Sequence, residues 1–151
     1  MFFINRQIII KLQPLTSSQC YTYIIMSNFF ISSTVRHYPK LSYEKIKTDI
    51  LGSDYNLSLT FVGSQRAKTL NQKYRKASYV PNVLSFPLDE KHGEIFITPT
   101  VASSEAKKFS MTKDGYIGFL FIHGCLHLKG HGHGVTMEEA EAKYCKKYGL
   151  K

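Results

Sequence analysis

The sequence predicts a single mixed α/β (α+β) domain: a small mixed β-sheet packed against several helices, with one central apolar helix. Three observations carry this. Short segments with strand-like alternation and longer ones with helical spacing follow one another without strict βαβ regularity. The stretch GYIGFLFIHGCLHLK, residues 115–129, is apolar on nearly every side and belongs in the middle of the molecule. The chain has 151 residues, 43% of them hydrophobic, with ten Phe and ten Tyr, enough for one real core.

The elements follow in order. Residues 29–32 read as a first strand. In LSYEKIKTDIL (41–51), Leu41, Ile46, Ile50 and Leu51 are spaced like one face of a helix. LSLTFV (57–62) alternates as a half-buried strand does. Ser64 is expected to cap a helix running to about Lys76, followed by a loop over 77–82. Two short strands are expected at 83–86 and 94–97. Pro99 suits a first helical turn, continued by TVASSEAKKF. Asp114 is the expected cap of the apolar helix, and Gly130 its end. Thr136 and Glu139 have the spacing of a capping box for a last helix through Tyr144. No repeat or low-complexity segment is present.

Lys and Arg outnumber Asp and Glu by 20 to 11, a formal charge of +9. Such an excess favours polyanionic partners, of which nucleic acid is the commonest. Cys20, Cys125 and Cys145 form no CxxC pair and leave an odd count, which argues against a disulfide framework and for a reducing, cytoplasmic setting. No apolar run approaches the roughly eighteen residues of a membrane span, so no membrane partner is expected. Residues 1–25 carry Arg6 and Lys11, no acid and little periodicity. A genuine extension, a weak targeting segment and an upstream start codon are the competing accounts. The last is preferred, with the domain proper at 26–151 and its charge still +7 without Arg6 and Lys11.

The chemistry concentrates in HGCLHLKGHGHG, residues 123–134. On a helix, positions i and i+4 share a face about 6 Å apart along the axis, so His123 and His127 can reach one ion from the same side. Gly130 lets the chain turn back sharply and bring His131 or His133 to that ion. Three neutral imidazoles leave a tetrahedral position open, the pattern of a catalytic zinc site and not a closed structural one. The glutamate that serves as base in HExxH proteases is replaced by Gly124, and Glu138 or Glu139 is a remote substitute. Three-histidine zinc still lowers the pKa of bound water to about 7 and polarises a phosphoryl oxygen, which suits phosphodiester hydrolysis if a cation steadies the phosphate.

HGCLHLKGHGH resembles the HGxLHLxGxDH signature of the YbeY family, bacterial endoribonucleases of ribosomal RNA maturation. LNQKYRKASYVPNVLSFP (70–87) is similar to that family's LNxxYRxxDxxTDVLSFP, and GEIFITP (93–99) to its GDIxIxP strand; order and approximate spacing are kept. The resemblance implies a mixed sheet with helices against it, one zinc ion on His123, His127 and His133, and a functional arginine at Arg75. It also implies single-strand-specific cleavage in 16S rRNA 3′-end maturation and late ribosome quality control, with an rRNA precursor and the ribosome or its small subunit as partners. The sequence departs from the pattern at Gly132, where the family has Asp before the last histidine, and at Ser78, Pro81 and Asn82, where it has Asp, Thr and Asp.

Arg75 closes a helix, where a cation is favourable to the macrodipole in any case. Lys68, Lys73, Arg75 and Lys76 form a candidate RNA-facing patch, giving affinity without sequence specificity. Ser85 and Phe86 are expected to shape the strand beside the site, Ser85 having no identifiable base. Cys125 points away from the histidine face and is expected in the core, while Cys145 has no assigned role. Two other classes are kept beside the ribonuclease: a zinc hydrolase of peptides or small molecules, since the metzincin-type spacing HxxxHxxGxxH is present, and a non-catalytic ribosome-associated factor stabilised by zinc.

Overall fold

A computed structural model describes residues 27–151; the segment expected to precede the domain lies outside them. Four strands, β1 (Phe29–Ser33), β2 (Asn56–Phe61), β3 (Val83–Asp89) and β4 (His92–Ile97), form one sheet in the order β1-β2-β4-β3. β1 and β4 run parallel to β2, and β3 pairs antiparallel with β4. The helices are α1 (Tyr43–Leu51), α2 (Ser64–Arg75), α3 (Pro99–Glu105), α4 (Lys113–Leu128) and α5 (Val135–Tyr148), with a 3-10 turn at Ala106–Phe109. The mixed α+β class expected from the sequence is the one observed.

Alternation decides which side of the sheet is core. Leu57, Leu59 and Phe61 of β2 and Ile95 and Ile97 of β4 are buried in one core with α4, which packs against β3 and β4 and also touches α1, α3 and α5. On the opposite side Phe86 and Phe96 pack together, their ring centroids 6.0 Å apart, and Tyr74 of α2 lies 5.2 Å from Phe86. The approach of α4 to β4 depends on Gly124, where an added Cβ would come 3.0 Å from Ile95 Cδ1. Cys125, next to it, is fully buried in the core.

Local details differ from expectation for physical reasons. β3 continues past Pro87 to Asp89, because it is an edge strand where a missing N–H costs no ladder bond. Ser64 is the first residue of α2 and not its cap; its hydroxyl is 3.1 Å from that of Thr100. Thr112, not Asp114, caps α4, its hydroxyl accepting from Gly115 N at 3.0 Å. The same Thr112 binds the main-chain oxygen of Lys151 through its N–H (2.8 Å) and its hydroxyl (2.6 Å), a tertiary choice between two capping types. No capping box forms at Thr136, since α5 begins at Val135 after Gly134, whose φ of 147° is glycine territory. α5 runs on to Tyr148, closed by Gly149 at φ 64°. The segment after Pro99 tightens from α to 3-10 at Ala106.

Candidate metal centre

The end of α4 builds the site. Gly130 N donates to His127 O at 2.9 Å and His131 N to Leu126 O at 3.0 Å, with Gly130 at φ 97°. This pair of bonds is a Schellman closure, and it turns the chain back over the last helical turn. The returning strand of chain brings the His133 ring to 5.3 Å from that of His123 and 4.7 Å from that of His127. His123 and His127 themselves have centroids 4.5 Å apart and Nε2 atoms 3.0 Å apart.

Ligand atoms of His123, His127 and His133 all lie within 4.8 Å of one another. The remaining nitrogens of two rings are held. His127 Nδ1 donates to the His131 carbonyl at 2.9 Å, and His123 Nδ1 donates to Glu141 Oε1 at 2.7 Å. Both Nε2 atoms therefore turn lone pairs toward a common point. Zinc–nitrogen bonds of about 2.0–2.1 Å set tetrahedral ligand nitrogens about 3.3 Å apart, near the 3.0 Å between the His123 and His127 Nε2 atoms, and His133 lies within 4.8 Å of both, so the donor set fits a metal ion. Burial, and then the neighbouring His123, hold His127 below the usual histidine range, which favours the neutral ring that a metal needs.

Of the two expected candidates for third ligand, His133 brings its ring into the cluster and His131 contributes only its main chain. The sequence reading missed Glu141, having considered only Glu138 and Glu139. Its signal was helical: Met137, one turn earlier on α5, is the buried residue that defines the inward face. Arg75, exposed at the end of α2, is close enough that its charge helps depress His127. Lys73 lies 5.1 Å from the Tyr74 ring centroid, and Lys76 takes the left-handed C-cap position at φ 57°. Lys68 is half-buried on α2. Ser85 sits on β3 opposite Ile95. Asn82 Nδ2 donates to Glu105 Oε2 at 2.8 Å. Gly132 has open space at its Cβ position and no positive φ, so the backbone does not require glycine there.

Fold and site define a mixed α+β protein in which the central helix and the chain that turns back after it present three converging imidazoles able to hold a metal ion. Residues 23–149 match the family described as Endoribonuclease YbeY, and the chain belongs to that family. The Endoribonuclease YbeY of Mesoplasma florum is 35% identical over 113 residues, 68% of this chain and 64% of the relative. That of Thermodesulfovibrio yellowstonii is 40% identical over 91 residues, 56% of this chain and 57% of the relative. The chain thus spans about three fifths of the length of these curated relatives. A solution structure of a Thermotoga maritima protein superposes with a TM-score of 0.58 at 25% identity, covering 80% of this chain and 88% of that one.

Proposed function

We propose that this chain is a zinc-dependent, single-strand-specific endoribonuclease of the cytoplasm, acting in 16S rRNA 3′-end maturation and late ribosome quality control. The observation that carries the reading is the convergence of three imidazoles, two of them with the second nitrogen held by a hydrogen bond. The names of the relatives supply the phosphodiester of RNA as substrate, and a charge of +9 suits a polyanion and a ribosomal setting. Among the described residues no helix is long and apolar enough to cross a membrane.

His123, His127 and His133 would hold a single zinc ion, which would supply Lewis acidity toward a phosphoryl oxygen or water. The chain's own residues do the rest. Glu141 and the His131 carbonyl fix the orientation of two ligand rings. Arg75 grips non-bridging oxygens with parallel hydrogen bonds as negative charge grows there. Lys68, Lys73 and Lys76 add phosphate affinity without base choice. Peptide hydrolysis is disfavoured by the packing itself: the position that holds the base in HExxH is Gly124, pressed against Ile95.

The test is cleavage of one end-labelled RNA, single-stranded and annealed to its complement, with product ends analysed. Internal cutting of the single strand alone is expected. A 2′,3′-cyclic phosphate with a 5′-hydroxyl identifies the 2′-hydroxyl as nucleophile, and a 3′-hydroxyl with a 5′-phosphate identifies water. Cleavage of a peptide with RNA untouched contradicts the proposal.

A further inference from the structure

We propose that Phe109 is a stacking platform for one unpaired nucleobase of the substrate strand, seated in the cleft that opens beside the histidines. This rests on the RNA-cleaving reading above. The cleft has a volume of about 270 Å³ and runs from His133 and His123 past Phe119 and Tyr116 to Asn82 and Phe109. That is below the roughly 300–1,000 Å³ of sites for drug-sized ligands, and suits one planar heterocycle.

Phe109 leaves 54% of its surface exposed, although burying a phenyl ring is favourable. Of the large apolar side chains exposed among the described residues, it alone lines this cleft. Its ring stacks on Tyr116, with centroids 4.8 Å apart and planes 19° from parallel. Tyr116 stacks in turn on Phe119 at 5.7 Å and 16°, and Phe119 lies 6.0 Å from the His123 ring. A ladder of near-parallel rings therefore leads from the metal centre to a half-exposed aromatic at the rim.

Charge selects the occupant. Lys107 and Lys108, both exposed, precede Phe109 on the 3-10 turn, and Lys113 opens α4 four residues later. A ring among cations suits a strand that offers π faces and phosphates together, and poorly suits an apolar partner. A base in a duplex is already stacked on both sides, so such a platform also favours single strands. Asn82 and Tyr116, beside Phe109 in the cleft, are not free to read base edges, because their polar groups are already satisfied. Asn82 Nδ2 donates to Glu105 (2.8 Å), its Oδ1 accepts from Val83 N (2.6 Å), and the Tyr116 hydroxyl donates to Glu105 (3.3 Å). Stacking without base preference follows.

The experiment uses the zinc-loaded full chain and single-stranded RNAs in which one abasic site is moved along the strand. One position near the cut should raise KM about tenfold with kcat retained, and 2-aminopurine there should be quenched on binding. Phe109→Ala should raise KM similarly on intact RNA and lose both position effects. Phe109→Tyr should behave as the parent, whereas Phe109→Leu, which keeps apolar packing on Tyr116, should behave as Phe109→Ala. A parental KM in Phe109→Ala or Phe109→Leu, or an abasic effect that persists in them, overturns the platform while the nuclease reading stands. A parent that leaves single-stranded RNA uncut overturns both.

Discussion

His123 and Glu141, on α4 and α5, meet through a 2.7 Å hydrogen bond from the imidazole Nδ1 to the carboxylate Oε1. Both side chains are largely withdrawn from water, with 19% and 13% of their surface exposed. A carboxylate only accepts, so the bond assigns the proton to Nδ1 and leaves Nε2 facing the other histidines. The last helix is thereby part of the metal centre, although it provides no ligand atom to it.

Glu141→Ala should accordingly keep the fold and weaken zinc binding about ten- to a hundredfold, the usual cost of losing such a partner. Glu141→Gln, which can still accept from Nδ1, should fall between. Competition against a chromogenic chelator measures both, and parental affinity in Glu141→Ala would remove the carboxylate from the account.

Two glycines in the same motif should respond in opposite ways. Gly124→Glu recreates the HExxH spelling but drives a side chain into Ile95, where a Cβ already sits 3.0 Å from the Cδ1. It should cost about 1–3 kcal/mol or more and yield no peptidase. Gly132→Asp, in open space, should fold normally and gain up to about 1 kcal/mol by restricting the unfolded chain. Thermal melts of the two variants decide the matter; an unperturbed melt for Gly124→Glu would contradict the close helix–sheet packing.

Arg75 is expected to act mainly in the transition state. Arg75→Ala should retain zinc and fold while losing on the order of a hundredfold in cleavage rate. Arg75→Lys should recover binding more than rate, since an ammonium lacks the planar two-pronged geometry. Lys68→Ala should weaken RNA binding modestly and flatten its salt dependence. Single-turnover kinetics separate these outcomes, and a near-parental rate for Arg75→Ala would end the role assigned to it.

What was legible in the sequence was what repeats locally. The apolar helix, the alternating strands and the i, i+4 pair of His123 and His127 all follow from periodicity. The choice between His131 and His133 was not legible from spacing, because it depends on where a Schellman turn sends the returning chain. The cap of α4 went to Thr112 over Asp114 because Lys151 docks on it from the far end of the chain. Glu141, eighteen residues after His123, became visible only when α5 folded across α4. The strand expected at 83–86 runs on through Pro87, whose tolerance on β3 follows from the edge position.

The central claim, that these three histidines hold the metal that cuts RNA, is tested most directly by titrating metal-stripped protein with zinc while following single-strand cleavage. Activity should rise and saturate at about one zinc per chain. His131→Ala should give the same curve, because only its main chain serves the site, whereas His133→Ala should neither bind zinc tightly nor cleave. Cleavage that survives chelation, or a His133→Ala protein that titrates like the parent, would contradict the account.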